Sequence, residues 1–369
     1  MKKLLFGAYS LDIGGIEKAL VILVNKLQEK GYDITLVLEK RQGIFLNEIN
    51  PKIKIIEYEP SNSKNKIQRK IINLIKRIKF TLKYKNKYDF SASFATYSLP
   101  ASFVARTASK NCYLWGHADY LTLFDGNTEK MKEFFIEKNY DKFKKIIFVS
   151  KEGKESFVKV FPEMKEKTMV CNNLIDADKI LELSKEKISE EDLLKINKLE
   201  NTQKETTTFI NVGRHQEKQK KLSRLIEAAT MLKKDNMNFK IIFIGDGPET
   251  EEYKKQVRNN QLENNIIFLG KKQNPYPYFK IADCVVLTSD YEGYPVVFLE
   301  SFILEKPIIT TKVSDYQEVE NKYGFVTEKD TKDIYEKMKN FILNGFEIKE
   351  KFDYKKYNEE ILKKIEDLI

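Results

Sequence analysis

Two glutamates eight positions apart are the most informative acids of the sequence. Glu292 and Glu300 enclose residues 293–299, and Pro295 suits the first turn of a helix. A helix beginning there would offer the free N–H groups of residues 295–297 to an anion, with one carboxylate just before it and the other about one and a half turns inside it. Such an arrangement suits a ligand built from a sugar, a diphosphate and a ribose. An exposed acid would be unusual at Glu300, because its neighbours are apolar, and burial there requires a partner.

A second candidate group is cationic. Gly213 and Arg214 end a short apolar run, and Lys218, Lys220 and Lys221 follow before the next helical pattern. A guanidinium can clamp phosphate through two hydrogen bonds, and an ammonium adds a point charge. A solvated run of charges explains the lysines equally well, but it explains Arg214 less well.

Glycines occupy two further turns. Gly14 and Gly15 follow the first apolar run and open a helical pattern, where bare N–H groups favour phosphate or a sugar hydroxyl. A tight turn with positive φ is the alternative for this pair. Residues 245–248 (Gly-Asp-Gly-Pro) match a dinucleotide fingerprint poorly, so we interpret them as a strand-to-helix turn beside the ligand.

His117 is one of only two histidines and lies near the only tryptophan, after an apolar run. A ligand-binding role and that of a satisfied loop histidine are equally open for it. Asp119 is close enough in sequence to orient the ring. Asp176 and Asp178 resemble a metal-binding pair, but helix capping explains them better. No set of residues has convincing metal-ligand spacing, so we expect no metal.

The elements that would position these residues alternate along the chain. Short β-rich apolar runs alternate with amphipathic stretches, as in parallel sheets wound with helices. Ligands bind such sheets at the carboxyl ends of the strands, and two facing sheets make a cleft. The runs predicted as strands are 4–8, 34–38, 53–58, 90–94, 113–115 and 146–149 in the first half, and 209–212, 240–244, 266–269, 284–287 and 308–310 in the second.

The length agrees with two domains. At ~150 residues per domain, 369 residues predict two doubly wound domains, each large enough to bury its own core. Residues 176–204 are highly charged and contain no strand candidate, which favours a helical and flexible connector. The predicted division is a Rossmann-like domain 1–175, a connector 176–205, a second Rossmann-like domain 206–350 and a C-terminal helix 351–369.

The net charge of +10 is concentrated in one segment. Residues 64–87 hold ten lysines and arginines and no acid, and the rest of the chain holds 55 basic and 55 acidic residues. Isoleucines and leucines recur there at steps of three and four, which predicts a basic amphipathic helix. Such a helix can lie on an anionic membrane surface. Packing of the aliphatic face on its own domain is an equally open interpretation.

Localisation follows from what the sequence lacks. No apolar run reaches ~18 residues, and the first run is too short for a secretory signal, so we expect a cytoplasmic protein. The cysteines have neither metal-ligand nor redox spacing, which favours small buried side chains in a reducing compartment. They are Cys112, Cys171 and Cys284.

The order of the sequence motifs along the chain resembles that of glycosyltransferase family 4, whose members are retaining enzymes with the GT-B fold. The resemblance covers nearly the whole chain, and its most specific part is the spacing of Glu292 and Glu300. Other short segments are similar to segments of enzymes that assemble capsular and other cell-surface polysaccharides in bacteria. The motifs that carry the resemblance are Gly14-Gly15, Val149-Ser150, residues 173–176, residues 212–214, residues 245–248, residues 268–270, Ala282-Asp283 and residues 292–300.

The resemblance implies an α/β fold of two Rossmann-like domains facing a central cleft, with the acceptor on the first and the nucleotide-sugar donor on the second. It implies that Arg214 and Lys220 neutralise the donor diphosphate, that Glu300 binds the ribose, and that Glu292 and His117 meet the transferred sugar. Many members have one residue fewer between the arginine and the lysine, which keeps Lys218 and Lys221 as alternatives to Lys220. The remaining donor-binding positions are Gly14, Gly15, Gly213, Gly247, Gly270, Lys271, Gly293, Tyr294, Pro295 and Val296.

The expected partners are a UDP-sugar donor, a polyprenyl-linked saccharide acceptor and an anionic membrane surface that residues 64–87 contact at the inner face of the cell membrane. The resemblance implies no metal and no other cofactor, and the C-terminal helix is expected to return to the first domain. A nucleotide-sugar epimerase on the same scaffold, a catalytically silent partner subunit and a basic nucleic-acid-binding protein are the alternatives. Few aromatics accompany the basic segment, which argues against nucleic acid.

Overall fold

The computed structural model describes residues 1–12, 14–198 and 206–369. The chain divides into two compact units. The first unit comprises Met1–Ile175 with Lys355–Ile369, and the second comprises Asp176–Tyr354.

Each unit is built on one parallel sheet. The first sheet has the strand order β3-β2-β1-β4-β5-β6-β7, and the second has the order β10-β9-β8-β11-β12-β13. Most strands are apolar on both faces, because helices cover both sides of a parallel sheet. The strands are β1 Lys3–Ala8, β2 Asp33–Leu38, β3 Lys54–Glu57, β4 Phe90–Ser93, β5 Cys112–Gly116, β6 Lys145–Phe148, β7 Thr168–Val170, β8 Thr207–Val212, β9 Phe239–Ile244, β10 Ile266–Phe268, β11 Cys284–Leu287, β12 Ile308–Thr311 and β13 Gly324–Thr327.

Helices follow most of the strands. Several begin at a side-chain cap; the Asn65 side chain, for example, accepts from the N–H groups of Ile67 and Gln68. Single 3-10 turns span Ile44–Glu48, Tyr140–Lys142, Pro162–Lys167 and Tyr316–Glu318. The helices are α1 Gly15–Glu29, α2 Lys66–Tyr84, α3 Leu99–Ala108, α4 Tyr120–Leu123, α5 Thr128–Glu137, α6 Lys151–Val160, α7 Ala177–Leu183, α8 Glu190–Asn197, α9 Glu217–Lys220, α10 Leu222–Lys234, α11 Thr250–Asn259, α12 Tyr276–Ile281, α13 Val296–Ile303, α14 Thr331–Asn344 and α15 Tyr354–Glu366.

The strand order reverses once in each sheet. In the first sheet the reversal lies between β1 and β4, and in the second it lies between β8 and β11. Connections on the two sides of such a switch point leave in opposite directions, so a crevice opens beyond the carboxyl ends of these strands. We call these places the first and the second switch point. The prediction of two doubly wound α/β domains is confirmed.

Helix α2 exposes its aliphatic stripe. Its inner face carries Phe80 and Tyr84, which are 5% and 9% exposed. Phe80 packs on Tyr58 and Phe103, and Tyr84 packs on Phe80. The stripe therefore does not pack on its own unit, and that interpretation of the sequence is wrong. The exposed fractions of its members are Ile67 70%, Ile71 52%, Leu74 58%, Ile75 46%, Ile78 49% and Leu82 79%.

Part of the predicted connector is helical and belongs to the second unit. The buried carboxylate of Asp192, on α8, accepts a hydrogen bond from the Tyr278 hydroxyl and lies 2.6 Å from the Lys272 ammonium. The Asp176 side chain caps α7 by accepting from the N–H of Lys179 at 3.2 Å. Residues 199–205 of the predicted connector lie outside the described residues.

The C-terminal helix belongs to the first unit. The side chain of Asn358, on α15, bonds both backbone groups of Ile175, at 3.0 Å and 2.8 Å. The Lys30 ammonium lies 2.9 Å from the Glu366 carboxylate. These bonds tie the end of the chain to the unit in which the chain begins.

Three predictions concern absences and cysteines. All three cysteines are buried and free. Among the described residues, no group of three potential ligands from His, Cys, Asp and Glu is placed to hold a metal ion. No helix in the described part of the chain is both long enough and apolar enough to cross a membrane.

Candidate active site

A buried ion pair lies at the second switch point. The Lys220 ammonium is 2.6 Å from Oε1 of Glu292, and the two side chains are 16% and 8% exposed. Glu292 follows β11, and Lys220 ends α9, which follows β8. A Cβ on Gly213 would lie 3.5 Å from Cε of Lys220, so this lysine lies beside the end of β8. The pair therefore holds a cation at the place where the topology predicts a ligand.

The structure distinguishes the three candidate lysines. Lys218 is exposed, and Lys221 adopts the left-handed region with φ of 49°. The Lys221 ammonium lies 3.7 Å from the Glu217 carboxylate and 3.9 Å from that of Asp290. Of the three, Lys220 is the one that contacts Glu292.

Hydrogen bonds hold Glu292 in place. The Ser289 hydroxyl donates to Oε1 of Glu292 at 2.7 Å, and the Gln219 amide donates to Oε2 at 3.3 Å. Hydrogen bonds also join the segment after β11 to α9. The N–H of Asp290 donates to the Gln219 carbonyl at 2.8 Å, and the Thr288 hydroxyl donates to the Lys220 carbonyl at 2.9 Å. The sequence did not identify Gln219 and Ser289 as site residues. Only their places in the sequence could have pointed to them, because Gln219 is next to Lys220 and Ser289 is three residues before Glu292.

Two glycines let neighbouring loops meet at this edge. Gly245 has φ of 140°, and a Cβ there would lie 1.8 Å from the Gly213 carbonyl oxygen. A Cβ on Gly247 would lie 2.0 Å from the carbonyl oxygen of His215. The N–H of Gly245 donates to the Gly270 carbonyl at 3.0 Å. Close packing of backbone explains both glycines, and the ends of β8, β9 and β10 lie side by side.

Three other predicted residues at these strand ends are accessible. Arg214 and Lys271 are exposed, directly after Gly213 and Gly270 respectively. Gly270 has φ of 73°, and a Cβ there would meet nothing within 4 Å. The guanidinium of Arg214 can thus reach an anion without first leaving a buried position.

Glu300 is buried and has a partner. It lies on α13 and is 8% exposed, and the Tyr276 hydroxyl donates to its Oε1 at 3.0 Å. Tyr276 opens α12 and is itself 3% exposed. Pro295 stands at the N-cap, one residue earlier than the first turn in which it was predicted. Tyr276 is a residue that the sequence missed, because it is 24 positions away from Glu300.

The loop before α13 is also anchored. The Gly293 carbonyl accepts from the Ser314 hydroxyl at 2.7 Å, and the Tyr294 hydroxyl donates to Glu318 at 2.6 Å. Glu292 and Glu300 thus have separate sets of partners. The first is bound to a cation, whereas the second is bound to a phenol.

His117, in the first unit, is held as a neutral imidazole. Its Nε2 is buried and has no hydrogen-bond partner within the described residues, and its ring centroid lies 4.5 Å from that of Phe94. Burial lowers the pKa of His117 to about 3. Asp119 does not orient the ring; its carboxylate caps α4 by accepting from the N–H groups of Leu121 and Thr122 at 3.1 Å and 3.3 Å.

Gly14 and Gly15 form the entry to α1 in the first unit. Gly14 has φ of −175°, which is extended backbone, so the alternative of a positive-φ turn is wrong. A Cβ on Gly15 would meet nothing within 4 Å, and one on Gly14 would meet only the mobile end of the Glu17 side chain. The fold does not require glycine at these positions, and the bare backbone is accessible.

Comparison with known proteins shows likenesses to glycosyltransferases. Residues 194–359 match the family model described as glycosyl transferases group 1. This match covers somewhat less than half of the chain. An uncharacterized glycosyltransferase of Methanocaldococcus jannaschii is 26% identical to this chain over 243 residues, which are 66% of this chain but only 58% of that relative's length.

Two further proteins resemble this chain along most of its length. One is the N-acetylgalactosamine-N,N'-diacetylbacillosaminyl-diphospho-undecaprenol 4-alpha-N-acetylgalactosaminyltransferase of Campylobacter jejuni, 25% identical over 325 residues, covering 84% of this chain and 81% of that protein. The other is the crystal structure of Anabaena HepE in complex with UDP and glucose, with a TM-score of 0.77 and 18% identity over 99% of this chain and 100% of that one. This likeness confirms the predicted GT-B fold.

The second switch point of this chain is suited to an anionic ligand. It combines an exposed guanidinium, an ammonium held by a buried carboxylate and backbone at Gly270 with no neighbouring atom within 4 Å of an added Cβ. Groups fixed before a ligand arrives stabilise charge without reorganising, which is the property that a reaction creating negative charge requires.

Proposed function

We propose that this chain transfers a hexose or hexosamine from a UDP-sugar to a lipid-linked or growing cell-surface glycan. The anomeric configuration is retained and no metal ion takes part. The observation that carries the proposal is the Lys220–Glu292 pair at the second switch point, beside the exposed Arg214. The match of residues 194–359 to the group 1 family model supports transfer, and the UDP in the HepE complex supports the choice of donor.

The cations stabilise the leaving group. Cleavage of the sugar–phosphate bond places negative charge on the departing diphosphate, and Arg214 and Lys220 lie where that charge develops in our assignment. An ammonium has three N–H donors, so Lys220 can keep Glu292 and still bind a phosphate oxygen. Because the pair is formed in advance, the cation needs no reorganisation during the reaction.

The acids and the backbone bind the rest of the donor. We assign Glu300 to the ribose hydroxyls, with Tyr276 holding the carboxylate, and Glu292 to the transferred sugar. The N-terminus of α13, from Pro295 and Val296, supports the phosphates. The backbone at Gly270 and Lys271 holds the base, and Gly213 and Gly247 lie at the neighbouring strand ends and contact the donor there. Gly293 and Tyr294 form the loop next to the sugar.

The first unit supplies the remaining contacts with the sugar. Gly14 and Gly15 offer bare N–H groups, and neutral His117 can accept or donate a single hydrogen bond to a hydroxyl. The acceptor hydroxyl attacks from the face that the diphosphate leaves, and a departing phosphate oxygen takes its proton. Retention then needs no nucleophile from the protein.

The acceptor is a polyprenyl-diphosphate-linked saccharide at the inner, cytoplasmic face of the cell membrane. The Campylobacter jejuni relative is named for an acceptor of this chemical class. Helix α2 supports the membrane location, because its exposed aliphatic stripe is flanked by cations such as Lys70 and Lys79. Such a helix inserts shallowly while its cations meet anionic headgroups.

One assay tests the transfer. The purified chain is incubated with UDP-, GDP- and dTDP-sugars and a polyprenyl-diphosphate-linked acceptor, with and without a chelator. We expect free UDP and a lengthened acceptor that has kept the anomeric configuration of the donor, at equal rates in both conditions. Arg214→Ala should abolish transfer without lowering the unfolding temperature, whereas Arg258→Ala, a solvent-exposed arginine on α11, should behave as the unchanged chain.

The same assay separates the alternatives. An altered sugar still attached to UDP would mean that the protein is an epimerase. Transfer by Arg214→Ala at a rate close to that of the unchanged chain would overturn the assignment of the site, and an inverted linkage would overturn the mechanism.

A further inference from the structure

A pocket of about 640 Å³ lies at the first switch point, within the first unit. Its wall is formed by residues that follow β1, β2 and β4, including Tyr9 and Glu39, and by side chains of α2 and α3. Ligand sites in proteins have volumes of about 300–1,000 Å³ and favour switch points. The nucleotide and diphosphate of the donor are assigned above to the second unit, and the first-unit residues Gly14, Gly15 and His117 do not line this pocket, so it is a separate feature.

The cations of this pocket have no acidic partner. Lys76 donates to the backbone carbonyl of Glu59 at 2.6 Å, and the guanidinium of Arg77 stacks 4.6 Å from the ring centroid of Phe103. Nε of Arg106 is buried without a hydrogen-bond partner within the described residues. In the part of the chain that the structure describes, none of the three forms an ion pair with a carboxylate.

The two carboxylates of the wall do not form ion pairs with these cations. Glu137 lies 3.3 Å from the ammonium of Lys138, and Glu39 accepts a hydrogen bond from the neutral Ser98 hydroxyl at 2.8 Å and keeps its charge. The three cations therefore outweigh the one uncompensated acid of the wall, which favours an anionic ligand. Two of the cations are guanidinium groups, whose planar fork matches phosphate.

We propose that this pocket binds the diphosphate of a prenyl-diphosphate-linked acceptor, with Arg77 and Arg106 as the clamping residues. The proposal rests on the function proposed above and names the part of the molecule that holds the acceptor. Tyr9, Tyr58 and Tyr97 add flat rings to the wall, against which the apolar faces of a sugar can pack.

A lipid-borne diphosphate fits the position better than a free one. Lys76 and Arg77 lie on α2, the same helix that exposes the aliphatic stripe. A diphosphate attached to a prenyl chain lies at the membrane surface, which is where this helix would hold the pocket. Leu99 and Pro100 in the wall give the first carbons of the prenyl chain an apolar contact.

The test measures binding of three probes to the full chain by calorimetry. The probes are geranyl diphosphate, a water-soluble prenyl diphosphate, together with inorganic pyrophosphate and UDP. We expect geranyl diphosphate to bind at least tenfold more weakly to Arg77→Gln and to Arg106→Gln than to the unchanged chain. Arg69→Gln is the matched control, because it removes the same charge from α2 at an exposed position outside the pocket.

UDP binding keeps the two proposals distinguishable. An unchanged affinity for UDP shows that a variant is folded, and Arg77 is exposed, so its substitution is tolerated even if that of Arg106 is not. An equal loss in Arg69→Gln, or no loss in Arg77→Gln, would overturn the pocket. Pyrophosphate binding as tightly as geranyl diphosphate would overturn the lipid source. If geranyl diphosphate binds as expected but UDP does not bind to the unchanged chain, the donor site is contradicted and the proposal for the pocket is not.

Discussion

The two switch points share one topology but carry different electrostatics. At the second, the Lys220 ammonium is already bound to the buried Glu292 carboxylate. At the first, Arg77 and Arg106 line a pocket and have no carboxylate partner in the described chain. The strand order therefore determines where a ligand can bind, and the loops determine which charge it meets.

This difference separates two tasks. A cation fixed by a buried acid suits charge that develops during a reaction, because its position does not depend on the ligand. Cations without an acid suit a ligand that brings its own charge and completes the neutralisation. On this view the second switch point is built for the leaving group and the first for a charged substrate.

The largest effect should come from breaking the fixed pair. Lys220→Ala removes a cation from the leaving group, which we expect to lower kcat about 10²–10³-fold. It also leaves Glu292 buried without its cation, which should cost about 3 kcal/mol of unfolding free energy. Steady-state kinetics and denaturant unfolding measure the two effects.

A double variant distinguishes catalysis from stability. Lys220→Ala with Glu292→Ala removes both charges, so stability should recover relative to Lys220→Ala while activity stays low. Lys221→Ala is the matched control, since that ammonium lies no closer than 3.7 Å to a carboxylate. Recovery of activity together with stability would show that the pair has only a structural role.

The next effect concerns the route by which a membrane-borne substrate reaches the first switch point. The triple variant Ile71→Gln, Ile78→Gln and Leu82→Gln should bind anionic vesicles about thirtyfold more weakly, which is roughly 2 kcal/mol of lost apolar insertion. UDP affinity and unfolding temperature should not change, because these side chains are 52%, 49% and 79% exposed.

Two substitutions elsewhere control for this prediction. Ile136 and Leu343 are 60% and 62% exposed and lie outside α2, so their replacement by glutamine should leave vesicle binding intact. Equal vesicle binding by the triple variant and the unchanged chain, measured by flotation, would show that the stripe does not contact the membrane.

A smaller effect tests the second switch point again. Tyr276→Phe removes the hydrogen bond to the buried Glu300 and should raise the KM for the donor about tenfold with little change in kcat, which corresponds to about 1.4 kcal/mol. Tyr278→Phe, two residues later, loses a bond to Asp192 instead and should leave the KM unchanged. A lower kcat with unchanged KM would mean that Glu300 acts on the reacting sugar.

Much of the fold could be predicted because parallel strands are continuous apolar runs. All eleven predicted strands are present with ends within two residues. The two missed strands, β7 and β13, are the last of their sheets, and a sheet edge is only partly covered, so their sequences show no continuous apolar run.

The site was less accessible to prediction. Lys218, Lys220 and Lys221 are equivalent as residue types, and only the contact with Glu292 separates them. Tyr276 could not be paired with Glu300 because the contact depends on how α12 packs on α13. The sequence left open whether the α2 stripe is exposed or packed on its own unit, because periodicity identifies an apolar face without showing what covers it.

The smallest effect concerns protonation of His117 in the first unit. Its pKa is lowered to about 3 by burial, whereas in the unfolded chain it is about 6.5. Between these values only the unfolded state binds the proton, so this histidine makes stability fall as the pH falls. From pH 7 to 5.5 the loss should be about 1 kcal/mol, and His117→Gln should remove it in denaturant unfolding. His215, in the second unit, also has a pKa lowered by burial, so its smaller contribution should persist in that variant. Identical pH dependence in both proteins would mean that His117 takes up its proton as readily in the folded state as in the unfolded state.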